Sequence, residues 1–259
     1  MMISGLRSSF SFFTLVPSRQ KDIGNPITFL PLVVTVGALI GDSILYITWQ
    51  FSHLIASFLS ISSIIIYNGL NHFDATADLG DALMVRDKSR IPEVIKDHHV
   101  GAGGIFAVIF VYGIAVLSLA RSTLYIGLVG ILIGQVVSGS SMMISLIGSQ
   151  PFVPGLADYF ISLFRKHSVG YTIEFLAIPI IVSFIFSPLY VVIVALNLLI
   201  VQLTKTMISR RFGGINGDVI GFLGEFSRSL FIFMLIIIAH YNVASTYDIF
   251  SKMLSSFTS

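Results

Sequence analysis

Residues 174–204 read EFLAIPIIVSFIFSPLYVVIVALNLLIVQLT, an apolar run interrupted near its middle by Ser187 and Pro188. Proline removes a helical hydrogen bond and biases the residue before it away from the α region. The run therefore reads as two short spans joined by a tight turn, with one long kinked helix as the alternative. The choice decides the fold, because it sets the side of a membrane on which everything after residue 204 emerges.

Toward the N-terminus, Ile27–Trp49 is long enough to cross a bilayer at about 1.5 Å of rise per residue, and His53–Leu70, Ile105–Ala120 and Leu124–Ile147 are further apolar stretches. Toward the C-terminus, Ser229 to about Tyr247 is the last. With the 174–204 pair this makes about seven transmembrane helices, an all-α polytopic membrane helix bundle expected to form a single integral membrane domain over residues 1–259. Composition agrees: 55% of the 259 residues are hydrophobic and 11% charged, against about a quarter charged in a soluble domain, and mean hydropathy is +0.92. There is no cysteine, which excludes disulfides and thiolate zinc sites and leaves oxygen and imidazole as metal ligands.

Residues 1–26 place Arg7, Arg19 and Lys21 around an apolar run with Leu6, Phe10 and Phe13 at helical spacing. Serines interrupt the run, no clear small-residue cleavage site follows, and Pro17 closes it, so it reads as an interfacial amphipathic helix rather than a signal peptide. With the N-terminus in the cytoplasm and seven spans, thirteen of the fifteen Lys and Arg residues fall on the cytoplasmic side, and only Arg121 and Lys252 fall outside it. That agrees with the positive-inside rule for a protein of the cell membrane. A single crossing at 174–204 would separate the two most acidic polar segments onto opposite faces.

The first of those segments is 71–104, NHFDATADLGDALMVRDKSRIPEVIKDHHVGAGG, which holds six of the thirteen acids: Asp74, Asp78, Asp81, Asp87, Glu93 and Asp97. Asp74, Asp78 and Asp81 fall at i, i+4 and i+7, one face of a helix. Like charges stacked in this way call for a positive partner. A divalent cation is the simplest candidate, and carboxylate oxygens suit Mg²⁺, which joins one or two carboxylates to substrate phosphates. A solvated helix start paired with Arg86, Lys88, Arg90 and Lys96 is the plain alternative. Ser89 with Pro92 and Glu93 looks like a helix start, and Lys96 is placed to meet a phosphate or to complement the end of that helix. Gly101, Gly103 and Gly104 make a flexible patch. His72, His98 and His99 read first as surface residues, with base or phosphate donor as the alternative roles.

The second segment is 205–228, within which RRFGGINGDVIGFLGEFSR repeats glycine every four residues at Gly213, Gly217 and Gly221, with Gly224 close behind. Small residues at this spacing let helices approach closely, and the same lack of side chains lets backbone amides approach a phosphate. Asp218 and Glu225, seven apart on one helical face, favour a metal-bridged phosphate. Asp42, inside the first span with Gly37 and Gly41, stays unassigned.

Three of these motifs together resemble the cobalamin synthase family, also called adenosylcobinamide-GDP ribazoletransferase. HFDATADLGDAL is similar to the family's HLDGLADTxDG, EVIKDHHVGAGG to IMKDSRxGxxG, and GGINGDVIGFLGE to GGxTGDxxGAxxE, with weaker echoes in FFTLVP, FLPLVVTVGALIG and PGLADYF. The resemblance covers most of the chain in order. Departures are Ala75 and Ala82 for family glycines, His98 and His99 for a Ser-Arg pair, Asn216 for a Thr, and no counterpart near Ser138 and Gly139 for an arginine of the fourth span.

The resemblance implies a membrane-bound transferase that joins adenosylcobinamide-GDP to α-ribazole or its 5′-phosphate and releases GMP. It implies Mg²⁺ held by Asp74, Asp78 and Asp81, chemistry at Asp97, Asp218 and Glu225, and substrate contacts at Lys96, Gly101, Asn216 and Gly217, on the cytoplasmic side. The implied partners are those two small molecules and the lipid bilayer, not nucleic acid, and a homo-oligomer stays open. One rival is another intramembrane transferase, of the CDP-alcohol phosphotransferase or prenyltransferase kind. The former expects Asp-Gly followed by Ala-Arg, whereas Ala82 follows Asp81 and no such Ala-Arg appears. The other rival is a cation transporter, which expects acids in mid-span, where only Asp42 and Glu174 lie.

Overall fold

The computed structural model describes residues 2–15, 24–95, 97, 99–152 and 155–240. In chain order the helices are α1 (Met2–Phe13), α2 (Leu30–Thr48), α3 (His53–Tyr67), α4 (Asn71–Met84), α5 (Ile91–Val94), α6 (Ala102–Ala120), α7 (Leu124–Ile144), α8 (Leu156–Lys166), α9 (Ser168–Phe186), α10 (Pro188–Phe212) and α11 (Gly217–His240). Six of them, α2, α6, α7, α9, α10 and α11, are long and apolar enough to cross a membrane, and α3 with α4, bent by 97° at residues 68–70, has the form of a broken span or a re-entrant pair. The chain is a multi-span helical membrane protein. Its outer faces carry Leu39, Phe58, Ile109, Phe184 and Leu199 exposed, a pattern that lipid accepts and water does not.

The 174–204 run crosses twice. Pro188 sits at the first position of α10, where its missing N–H costs nothing, and the Ser187 hydroxyl accepts the Leu189 N–H at 3.3 Å. The reversal returns the end of α10 to the same end of the bundle as α4.

The 205–228 segment is not mainly a connection. The helix α10 continues through Phe212 and α11 begins at Gly217 rather than at Ser229, leaving a four-residue loop, 213–216. Gly213 closes α10 at φ 85°, a left-handed conformation that glycine adopts without strain. Asn216 then caps α11, its Oδ1 accepting the Val219 N–H at 3.0 Å. The expected end near Tyr247 lies outside the described residues. In the 71–104 segment, the helix start read at Ser89 is a 3₁₀ turn, Lys88–Arg90, capped by the Asp87 carboxylate, and α5 beyond it lasts one turn.

The first half of 71–104 is the helix α4, turned away from α3 by Gly69 and Leu70, both at positive φ (78° and 63°). It lies against α6 and α11. A side chain at Gly80 would come within 2.6 Å of the Gly103 carbonyl, so the α4–α6 contact requires glycine there. Asp81 completes that contact: one carboxylate oxygen accepts the Gly101 N–H at 2.7 Å and the other the Gly104 N–H at 2.9 Å, at the start of α6. From the end of α10, the Arg211 guanidinium donates to the carbonyls of Leu83 and Val85 at the end of α4.

The centre of the bundle is α7, 83% of whose spanning window is buried, packed against α2, α9 and α11. Ser141 meets Ser227 at 2.7 Å, and the Ser227 hydroxyl donates to Asn197 Oδ1 at 2.7 Å, tying α7, α11 and α10 together. Beside this link lies Arg228, the largest fully buried side chain. It pairs with Glu225 one turn back, donates to Gln135 Oε1 at 3.1 Å, and stands 5.9 Å from the centre of the Tyr112 ring. A buried charge is tolerated when paired in this way, and removing one partner strands the other.

Two outcomes follow for purified protein in detergent. Asp81→Ala loses about 1–2 kcal/mol of stability in thermal unfolding, as expected for a lost helix cap, and does so in metal-free buffer, whereas loss of a metal ligand alone would show only with the ion present. Glu225→Gln loses about 3–5 kcal/mol by leaving Arg228 unpaired, and Glu225→Gln with Arg228→Met loses less than that single change.

Candidate active site

A cavity of about 350 Å³ opens where α4, α11, α1, α8 and the end of α7 meet. Its polar wall is made by two helix starts. From the first turn of α4 come Asn71, His72 and Asp74, and from the first turn of α11 come Gly217 and Asp218. No side chain caps the start of α4, so two positive helix ends and two carboxylates face one space, an arrangement suited to phosphate and a cation together. The helices come this close because Gly221 has no side chain: a Cβ there would lie 3.1 Å from both Ala75 and His72.

Asp74 and Asp218 are near enough to repel one another. The Asp218 carboxylate is steered by Asn216, whose Nδ2 donates to it at 2.6 Å. Asn216 is itself buried and absent from the cavity wall, so it acts through Asp218 and the helix cap. Gly217 is on the wall.

Glu225 is not on the wall. It lies behind His72, 3.5 Å from the ring Nδ1, with its charge taken up by Arg228. The acid reaches the cavity only through the imidazole. His72, read first as a surface residue, is thus a wall group held from behind. The signal in the sequence was its place two residues before Asp74, and for Arg228 its i, i+3 spacing from Glu225.

The remaining expected residues lie elsewhere. Asp81 and Gly101 are bonded to each other at the α4–α6 contact, away from the cavity. Asp97 is exposed, bonded to His99 Nδ1 at 2.7 Å, and not on the wall. Asp78 stands one turn along α4 from Asp74, half-buried and off the wall. Lys96 lies outside the described residues.

Among the described residues no group of three or more Asp, Glu or His side chains is gathered as a metal cage, and Asp78 and Asp81 lie off the wall that Asp74 shares with Asp218. The reason is helix geometry: i to i+7 spreads carboxylates over roughly 10 Å of axis, whereas Mg²⁺ holds its oxygens at about 2.1 Å. The donors that fit a divalent ion are Asp74 and Asp218, hard oxygens from two helices on one wall that leave most positions to phosphate and water.

A family model described as Cobalamin-5-phosphate synthase matches residues 5–236. The chain is 47% identical over 254 residues to an adenosylcobinamide-GDP ribazoletransferase of Thermoplasma acidophilum, covering 98% of this chain and all of that protein. It is 32% identical to the protein of that name from Picrophilus torridus, over 91% of this chain and 98% of the relative. For the one from Pyrobaculum calidifontis the figures are 33%, 88% and 96%. No solved structure matches. With the match running from α1 into α11 and taking in both helix starts that build the cavity, the chain belongs to the cobalamin-5-phosphate synthase family.

Proposed function

We propose that the chain transfers the corrinoid phosphate of adenosylcobinamide-GDP to α-ribazole or its 5′-phosphate, releasing GMP, at a magnesium-dependent site on the cytoplasmic side of the cell membrane. The observation that carries this reading is the meeting of Asp74 and Asp218 on one cavity wall, each on the first turn of a helix. In the reaction a ribose hydroxyl oxygen forms a bond to the phosphorus next to the cobinamide. The phosphorus–oxygen bond to GMP breaks, GMP carries away the electron pair, and the hydroxyl proton passes to a base.

Such a displacement asks the protein for alignment and charge neutralisation rather than covalent work. A magnesium ion held by Asp74 and Asp218 would offset the charge of the diphosphate. The amides at the starts of α4 and α11 attract phosphate oxygens. Of the acids expected to take the hydroxyl proton, Asp218 faces the cavity, and Asn216 keeps its carboxylate aimed. His72, backed by Glu225, supplies a second hydrogen-bonding group on the same wall. The basic residues of the α4–α6 and α7–α9 connections, with Arg210 and Arg211 in the last turn of α10, support the cytoplasmic placement.

The test is GMP release from adenosylcobinamide-GDP by purified protein, with α-ribazole and Mg²⁺ each added or withheld; release that needs both is expected, and release that ignores α-ribazole would end the reading. Asp74→Asn and Asp218→Asn are each expected to lower turnover by about a hundredfold or more with insertion and unfolding temperature unchanged. Asp97→Asn is expected to stay within about threefold of the parent, because a surface substitution off the cavity perturbs little.

A further inference from the structure

The wall opposite the carboxylates is of another kind. It carries Phe12 and Phe13 from α1, Phe160 from α8, and Met142 and Met143 from the end of α7. The three rings form one cluster: Phe12 stands edge-on to Phe160 at 4.8 Å and to Phe13 at 4.9 Å, and Phe13 lies 5.8 Å from Phe160. Phe13, Phe160 and both methionines are buried, with at most 7% of their surface exposed in all, while Phe12 is half-buried. A cavity with one acidic wall and one aromatic wall is built for a molecule that is flat and apolar at one end and anionic at the other.

We infer that this aromatic wall is the subsite for the base of the α-ribazole acceptor, and that Phe12 and Phe160, with Met142, set which bases the enzyme accepts. The inference rests on the transferase reading above and adds to it the place and specificity of one substrate. Size separates the candidates first. At about 350 Å³ the cavity is at the low end for a small-molecule site. It is of a scale with a nucleoside, and a corrin ring with its amide side chains does not fit. The corrinoid stays outside and only its diphosphate arm reaches Asp74 and Asp218.

Chemistry separates the two nucleosides. Guanine presents N–H, amino, carbonyl and ring-nitrogen groups round its edge, and none of Phe12, Phe13, Phe160, Met142 and Met143 has a strong partner for them. Burying it there would leave those groups unpaired. A dimethylbenzimidazole has no N–H once joined to ribose, one free ring nitrogen and two methyl groups, and it loses little by leaving water. Thioether sulfur beside an aromatic face adds an adaptable contact. The ribose of such an acceptor then points toward the acidic wall, where its hydroxyl is needed.

The experiment measures KM for each substrate separately in wild type, Phe12→Leu, Phe12→Ala and Phe160→Ala, together with equilibrium binding of α-ribazole alone. Loss of a stacking ring is expected to raise KM and Kd for α-ribazole by about tenfold or more, with KM for adenosylcobinamide-GDP unchanged. Met142→Gln is expected to narrow the preference for α-ribazole over the corresponding adenine α-riboside. A rise in KM for adenosylcobinamide-GDP with α-ribazole unaffected, or no change in either, overturns the inference. Phe12→Leu keeps an apolar side chain at a half-buried position, so it remains informative where Phe160→Ala fails to fold. Binding of α-ribazole needs no turnover: weaker binding in the Phe variants supports the subsite even if GMP release is absent, and unchanged binding rejects it even if GMP release is normal.

Discussion

Contact between α4 and α11 depends on a missing side chain. At Gly221 a Cβ would lie 3.1 Å from both Ala75 and His72, so those side chains would have to give by a few tenths of an ångström. The close approach there lets Asp74 and Asp218 share a cavity. The bend at Gly69 and Leu70, the hold of Arg211 on the end of α4, and the Asp81 cap on α6 all serve the same placement. They lay a polar helix across the end of an apolar bundle and keep it there.

The charge inside the bundle is handled by pairing. Glu225 and Arg228 are deeper than the cavity and neutralise each other, while Gln135 Oε1 accepts a further hydrogen bond from Arg228 and the Tyr112 ring lies beside its guanidinium. One consequence reaches the site: the outer oxygen of Glu225 stands behind His72. A buried ion pair that costs stability in isolation thereby stands directly behind a wall group of the cavity. Division of labour is plain across the acids. Asp74 and Asp218 face the open space, Asp81 holds a helix start, Glu225 supports from behind, and Asp87 and Asp97 close local turns.

Much of this was legible residue by residue. Ser187 and Pro188 announce a helix start, so the double crossing could be read directly, and with it the return of α11 to the side of α4. Asp74 stood out as one of three like charges stacked on a helix face, and Asp218 as an acid set among glycines. The longest misreading was at 205–228, where polar residues suggested a connection. Helix continues through them because Asn216 caps it and because Glu225 and Arg228 satisfy each other within it. The role of Asp81 was hidden for a different reason: its partners are the amides of Gly101 and Gly104, and backbone groups leave no trace in residue identity.

Hydrophobic period, caps, prolines and the supply of acids depend on neighbours within a few residues, so the amino-acid order alone determined the bundle, its crossings and the roster of candidate groups. Which of those groups face a common space depends on contacts between segments far apart in the chain. Only the packed structure decided that Asp74 meets Asp218, that His72 turns inward with Glu225 behind it, and that the rings of α1 and α8 close the opposite wall. Side-chain spacing along one helix spreads charge over several turns, and convergence on a single ion or substrate needs a second helix brought alongside.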